Sequence, residues 1–149
     1  MTEHKATVRW QRETPDFDYK TFDRTHVWDF PGGQSLQGSS APEYSGNPEY
    51  VDPEEGLVAA LASCHMLTFL AIAALRGFTV DHYEDEAVGM LGKNPQGRMM
   101  ITRITLNPRV VFGGGKAPDA KTLAAMHHKA HENCFVANSL LTEVLVQPR

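Results

Sequence analysis

The sequence predicts an α+β fold, because its β-patterned segments and its helices come in blocks and do not alternate. Two observations carry that prediction. One long apolar run, Leu57–Leu75, is bounded by helix start and stop signals, and β-rich stretches flank it on both sides. With 149 residues, 42% apolar and 21% charged, the chain suits a single domain over 1–149 with its own core. It carries no internal repeat, low-complexity tract or linker.

The elements follow in order. Lys5–Arg12 and Tyr19–Phe30 read as strands, the second with Phe22, Arg24, His26, Trp28 and Phe30 on one parity. Pro31-Gly32-Gly33 is a turn, Gln34–Ser39 a further strand and Ala41–Tyr50 a polar loop. Asp52 is placed to cap the long helix, with Pro53 at its first position and Glu55 in the capping-box place. Gly77 supplies its stop. This helix is apolar on nearly every face, so something must cover it all round. The run barely reaches spanning length, and its Ser63, His65, Thr68 and many Ala suit a helix clamped between protein surfaces better than one in lipid. One short domain covers such a helix poorly, whereas two copies packed together do so, which predicts a homodimer. Val80–Leu91 and Arg98–Phe112 then read as two long strands around an Asn94–Gly97 turn, Pro118–His131 as a second helix, and Glu143–Val146 as a closing strand. Leu123, Met126, His127 and Ala130 lie along one side of that second helix.

Charge narrows the function. A net charge of −4 argues against nucleic acid or an anionic membrane as partner. The N-terminal segment is charged and lacks the apolar core of a secretory signal, so the expected location is cytoplasmic, where thiols stay reduced.

Chemistry concentrates in two cysteines. Cys64 lies mid-helix, several turns from the helix N-terminus, so a reactive thiolate there needs a cation from elsewhere, with arginine the better candidate. Cys134 follows the second helix. Each alone reads most simply as a small buried hydrophobe. Together they permit a peroxidase cycle in which one thiolate opens a peroxide bond and the other resolves the sulfenic acid to a disulfide. His127, His131 and Cys134 also have spacing that can hold zinc, but there is no HExxH or CxxC and no further ligand, so no metal is expected. No GxSxG elbow supports a serine hydrolase.

Two motifs lead further. Asp52-Pro53-Glu54-Glu55 running into Leu61-Ala62-Ser63-Cys64-His65-Met66-Leu67, then Ala130-His131-Glu132-Asn133-Cys134-Phe135-Val136-Ala137-Asn138-Ser139 about seventy residues on, resemble the OsmC/Ohr family of osmotically inducible and organic hydroperoxide resistance proteins. The resemblance covers nearly the whole chain, and His65 directly after Cys64 is closer to the OsmC-like branch. It implies an OsmC-like fold with antiparallel sheets around a long buried central helix, in an intertwined homodimer with interface active sites. It also implies a stress-response role as a two-cysteine peroxidase acting on organic hydroperoxides, with hydrogen peroxide a further candidate substrate, no metal or flavin cofactor, and a dithiol reductant such as a lipoylated protein. Cys64 matches the attacking cysteine, Cys134 the resolving one, and Glu54 the glutamate that orients an arginine. Arg24 is the match for that arginine, with Arg12 as the alternative. Ten helical residues set Glu54 about 15 Å along the axis from Cys64. Glu54 and Arg24 are therefore expected to act on Cys64 of the partner chain. Met66, Phe69 and Phe135 are candidates to line a pocket for the substrate's apolar chain, or else plain core. The alternative function is a non-catalytic module on the same fold that binds a small apolar ligand.

Overall fold

The computed structural model describes all 149 residues. They divide into two compact units, Met1–Gly56 and Leu57–Arg149.

In the first unit, β1 (Thr7–Arg9), β2 (His26–Asp29) and β3 (Ser35–Gly38) form an antiparallel meander in that order. Val8 pairs with Trp28, which in turn pairs with Leu36. An Arg9–Asp29 ion pair ties β1 to β2, and Ser35 donates a hydroxyl to the same carboxylate. The strand expected from Tyr19 starts only at His26, because local acceptors hold the preceding residues in turns. Asp18 accepts from the backbone N–H of Lys20, Thr21 and Phe22, and Asp23 accepts from that of Thr25.

Helix α1 (Pro53–Leu75) begins with the anticipated capping box. Glu55 N–H donates to Asp52 Oδ1 at 2.7 Å, and Asp52 N–H donates to Glu55 Oε2 at 3.1 Å. Gly56 is small for a steric reason: a Cβ there would stand 2.5 Å from the Trp28 ring. Four residues spaced by one turn, Leu61, His65, Phe69 and Ala73, form the buried stripe of α1. The rest of this apolar helix is half-buried or open within one chain.

The second unit shows the two long strands divided in two. β4 (Thr79–Asp85) pairs with β7 (Pro108–Gly113), and β5 (Val88–Lys93) with β6 (Met99–Leu106), all antiparallel. The expected strand Val80–Leu91 breaks at Glu86-Ala87, and Arg98–Phe112 breaks opposite it at Asn107. Side-chain bonds hold that bend. Asn107 N–H donates to Asp85 Oδ1 at 2.7 Å, and Asn107 Nδ2 donates to the carbonyl of Glu86 at 2.8 Å. Pro108, which has no N–H, opens β7 at that point. The ribbon turns at Asn94–Gly97, where Gly97 has φ +77° and Asn94 Oδ1 accepts from the N–H of Gln96 and Arg98. β8 (Glu143–Val146) joins β6 in parallel.

Helix α2 (Ala120–Asn133) is capped by Asp119, which accepts from Thr122 N–H. It buries Met126, His127 and Ala130 on the side expected. Two apolar clusters result. Leu61, Ile101, Ile104, Leu106 and Cys134 form one, and Phe69, Ala73, Met126 and Ala130 form the other.

Candidate redox site

The two cysteines meet in the first of these clusters. Cys134 ends α2 as its C-cap residue, its N–H donating to the carbonyl of His131, and is fully buried. Cys64 packs against the same cluster from α1 and is half-buried. Both are free thiols. Burial is the main cause that pushes the Cys134 thiol up to about 11, and a hydrogen bond with the Cys64 side chain adds to it. Cys134 therefore keeps its proton at neutral pH beside the Cys64 side chain, while Ala137 N–H donates to Cys134 Sγ at 3.4 Å. Two sulfurs seventy residues apart in sequence are thus brought into contact, one with its proton and the other nearer to solvent.

Arg24 stands in the first unit on the Tyr19–Arg24 turn. Its guanidinium donates to the carbonyls of Phe22 and Tyr19, and lies 3.7 Å from the centroid of the Phe22 ring. It lines a cavity of about 370 Å³ together with Val8, Trp10, Phe17 and Phe22. Trp10, Phe17 and Phe22 contact one another there, with ring centroids 5.3–6.3 Å apart. That aromatic group was not anticipated, since its members fall outside regular strands and share no period. Arg12 donates to the carbonyls of Thr14 and Pro15 and does not line this cavity. Glu54 is half-buried in the first turn of α1, and no ion pair joins it to Arg24 within one chain.

The three candidate pocket residues occupy three different environments. Phe69 is fully buried between Tyr83, Phe112 and His127, an environment that matches the plain-core alternative. Met66 is half-buried, and Phe135, directly after Cys134, is 83% exposed. No three His, Cys, Asp or Glu side chains, His127, His131 and Cys134 included, converge in a geometry suited to a metal. His127 faces His65 instead, a contact that the sequence did not announce.

A family model described as OsmC-like protein matches residues 46–149. An OsmC-like protein of unknown function from Vibrio cholerae is 45% identical, with a TM-score of 0.97 and complete coverage of both chains. More distant in sequence but alike in fold is the organic hydroperoxide resistance protein OsmC from Legionella pneumophila, at 16% identity and TM-score 0.73 over 99% of this chain and 96% of that one. The organic hydroperoxide resistance protein OhrB of Bacillus subtilis stands at 19% identity and TM-score 0.72 over 99% and 98%. No curated protein matches significantly. The matched 104 residues include both cysteines, the capping box and α2, and the chain belongs to the OsmC/Ohr family.

Proposed function

We propose that the protein is a thiol-dependent peroxidase that reduces organic hydroperoxides through Cys64 and Cys134. The observation that carries this reading is the contact between two free thiols, the more buried of which holds its proton. In the first step the Cys64 thiolate attacks the terminal peroxide oxygen. The O–O bond breaks, the alkoxide leaves and takes a proton to become alcohol, and Cys64 becomes a sulfenic acid. In the second step Cys134 attacks that sulfur. The S–S bond forms, the S–O bond breaks, and hydroxide departs with the thiol proton as water. A dithiol reductant, a lipoylated protein for instance, then restores both thiols by exchange and is itself oxidised to a disulfide.

The catalytic site takes in a second copy of the chain. Only 22% of the most apolar window of α1 is buried within one chain, which supports a homodimer that covers the helix. Residues 1–149 act in it as one OsmC/Ohr-like domain. Glu54 orients Arg24, and Arg24 stabilises the thiolate of Cys64 in the other copy and holds the peroxide oxygens. Its hydrogen bonds to Phe22 and Tyr19 are then exchanged for contacts with sulfur and substrate. The place of Arg24 beside an apolar cavity favours it over Arg12. Exposed Phe135 and half-buried Met66 are the remaining candidates to meet the alkyl chain.

The test is mass spectrometry of the reduced protein after one equivalent of cumene hydroperoxide. A Cys64–Cys134 bond, lost in Cys64→Ser, is expected; unchanged thiols would end the proposal. A second reading, a non-catalytic carrier of a small apolar ligand, is favoured by the aromatic cavity around Trp10. In that case Trp10 fluorescence would respond to apolar ligands while both thiols stayed inert to peroxide.

A further inference from the structure

The interior of the second unit holds a polar contact that the thiol chemistry leaves unused. His65 Nε2 on α1 lies 3.1 Å from His127 Nδ1 on α2. The rings are parallel within 3°, with centroids 5.4 Å apart, and His127 also stacks on Phe69 at 4.3 Å. His65 is 0% and His127 2% exposed. At this separation one nitrogen must carry a hydrogen and the other a lone pair, because two lone pairs or two N–H groups repel. Two neutral rings in the Nε2–H form meet that condition, with His65 donating to His127. The outer nitrogens, His65 Nδ1 and His127 Nε2, are buried with no partner, as is Nδ1 of the neighbouring His131.

The pair joins the same two helices that bring the thiols together. His65 is the residue after Cys64 on α1. His127 lies two helical turns before Cys134 on α2. We propose that His65 and His127, as a neutral hydrogen-bonded pair, are positioning residues that hold α1 against α2 and keep Cys64 and Cys134 in contact, and that protonation of the pair releases both.

The surroundings explain why acid would act here. A proton added to either ring puts a cation in the interior, where His127 stacks on Phe69 and both rings are shut off from water. Protonating both turns N–H against N–H. The titratable groups near the pair are His131 on α2 and Tyr83 on β4 behind Phe69. Neither supplies a negative charge at neutral pH, since an imidazole carries none and burial raises the Tyr83 phenol further. No carboxylate acts on either ring. Burial is the main cause that lowers each imidazole to about 4, with the charges of His127 and His131 adding to the effect on His65.

The contact itself is independent of the peroxidase reading, although its value to catalysis rests on that reading. The test uses the reduced full chain with nitrogen-15-labelled histidine, titrated by NMR from pH 7.5 to 3.5 while amide exchange on α2 is followed. Both rings should stay neutral to about pH 5, then take up protons together, at the pH where α2 amides lose protection. Rings that titrate singly near 6.5 with α2 still protected would overturn the proposal, and this arm needs no variant. In His65→Gln/His127→Asn, amide groups stand where Nε2 and Nδ1 were and bond without titrating. Its opening midpoint should fall by at least one pH unit, and an unchanged midpoint counts against the proposal. Diamide, which takes two electrons and two protons from the thiols, reads their contact without any peroxide. His127→Leu should form the Cys64–Cys134 disulfide at least fivefold more slowly at pH 7, with His127→Asn restoring the rate. Equal rates in His127→Leu and wild type would overturn it. An inert protein toward cumene hydroperoxide with these results intact would remove the peroxidase reading and leave the latch standing.

Discussion

Cys134 shows how much a single environment decides. Its sulfur is fully buried among Leu61, Ile104 and Leu106 and holds its proton, whereas the Cys64 side chain is partly open. Under the proposed cycle the two thiols are not interchangeable. Cys64→Ser should lose peroxidase turnover altogether. Cys134→Ala should still consume one equivalent of peroxide and leave a sulfenic acid on Cys64 that dimedone traps. Dimedone labelling followed by mass spectrometry separates the two outcomes. Arg24→Lys removes the planar fork and should lower kcat/KM for cumene hydroperoxide by at least tenfold, while Arg12→Lys changes it less than threefold. The cysteines were legible because each sits in a local motif a few residues long. The pairing of His65 with His127 was not, since it joins residues sixty-two apart through helix packing, and neither neighbourhood carries a sign of the other.

Elements were readable where their signals are local. The start of α1 depends on Asp52 and Glu55, three residues apart, and both hydrogen bonds of the box are present. Asp52→Ala should cost about 1 kcal/mol, measured as a lower urea midpoint. The strands flanking Asn94–Gly97 were assigned correctly in type, but their division was missed. A β pattern carries straight through Glu86-Ala87 and Asn107, and the bend is made by side-chain bonds between positions twenty-two apart. Packing of α1 on the ribbon is close enough to be tested. A Cβ added at Gly89 would stand 2.6 Å from Val58 Cγ2. Since a short branched side chain has little freedom to retreat, Gly89→Ala should destabilise the protein by about 1–3 kcal/mol, seen as a lower melting temperature.

Across the whole molecule, stability should depend on acidity in a defined direction. An unfolded histidine titrates near 6.5, and folded His65 and His127 are held down at about 4. Between those values the unfolded chain binds more protons than the folded one. Stability from this source is complete above about 6.5, drains away as pH falls toward 4, and declines no further below that. The urea midpoint should be lower at pH 5 than at pH 7.5, and the difference should shrink in His65→Gln/His127→Asn. Assembly is a second property at this scale. Leu67 on α1 is 62% exposed in one chain, and under the proposed homodimer Leu67→Glu should shift the light-scattering mass from dimer toward monomer. The α+β class was legible from the order of blocks, whereas the arrangement of the sheets was not, because no composition tells a bent ribbon from two straight strands.

The bent ribbon also says something about the route to the native state. From the Asn94–Gly97 turn its rungs can close outward one after another, each adding only a short loop, through β5–β6 and then β4–β7. β8 meets β6 from forty residues away, as at Arg103 opposite Glu143, and must wait for that template. Gly97→Val, which strains the nucleating turn, should therefore slow refolding more than it speeds unfolding, while a lesion in β8 such as Val144→Ala should do the reverse.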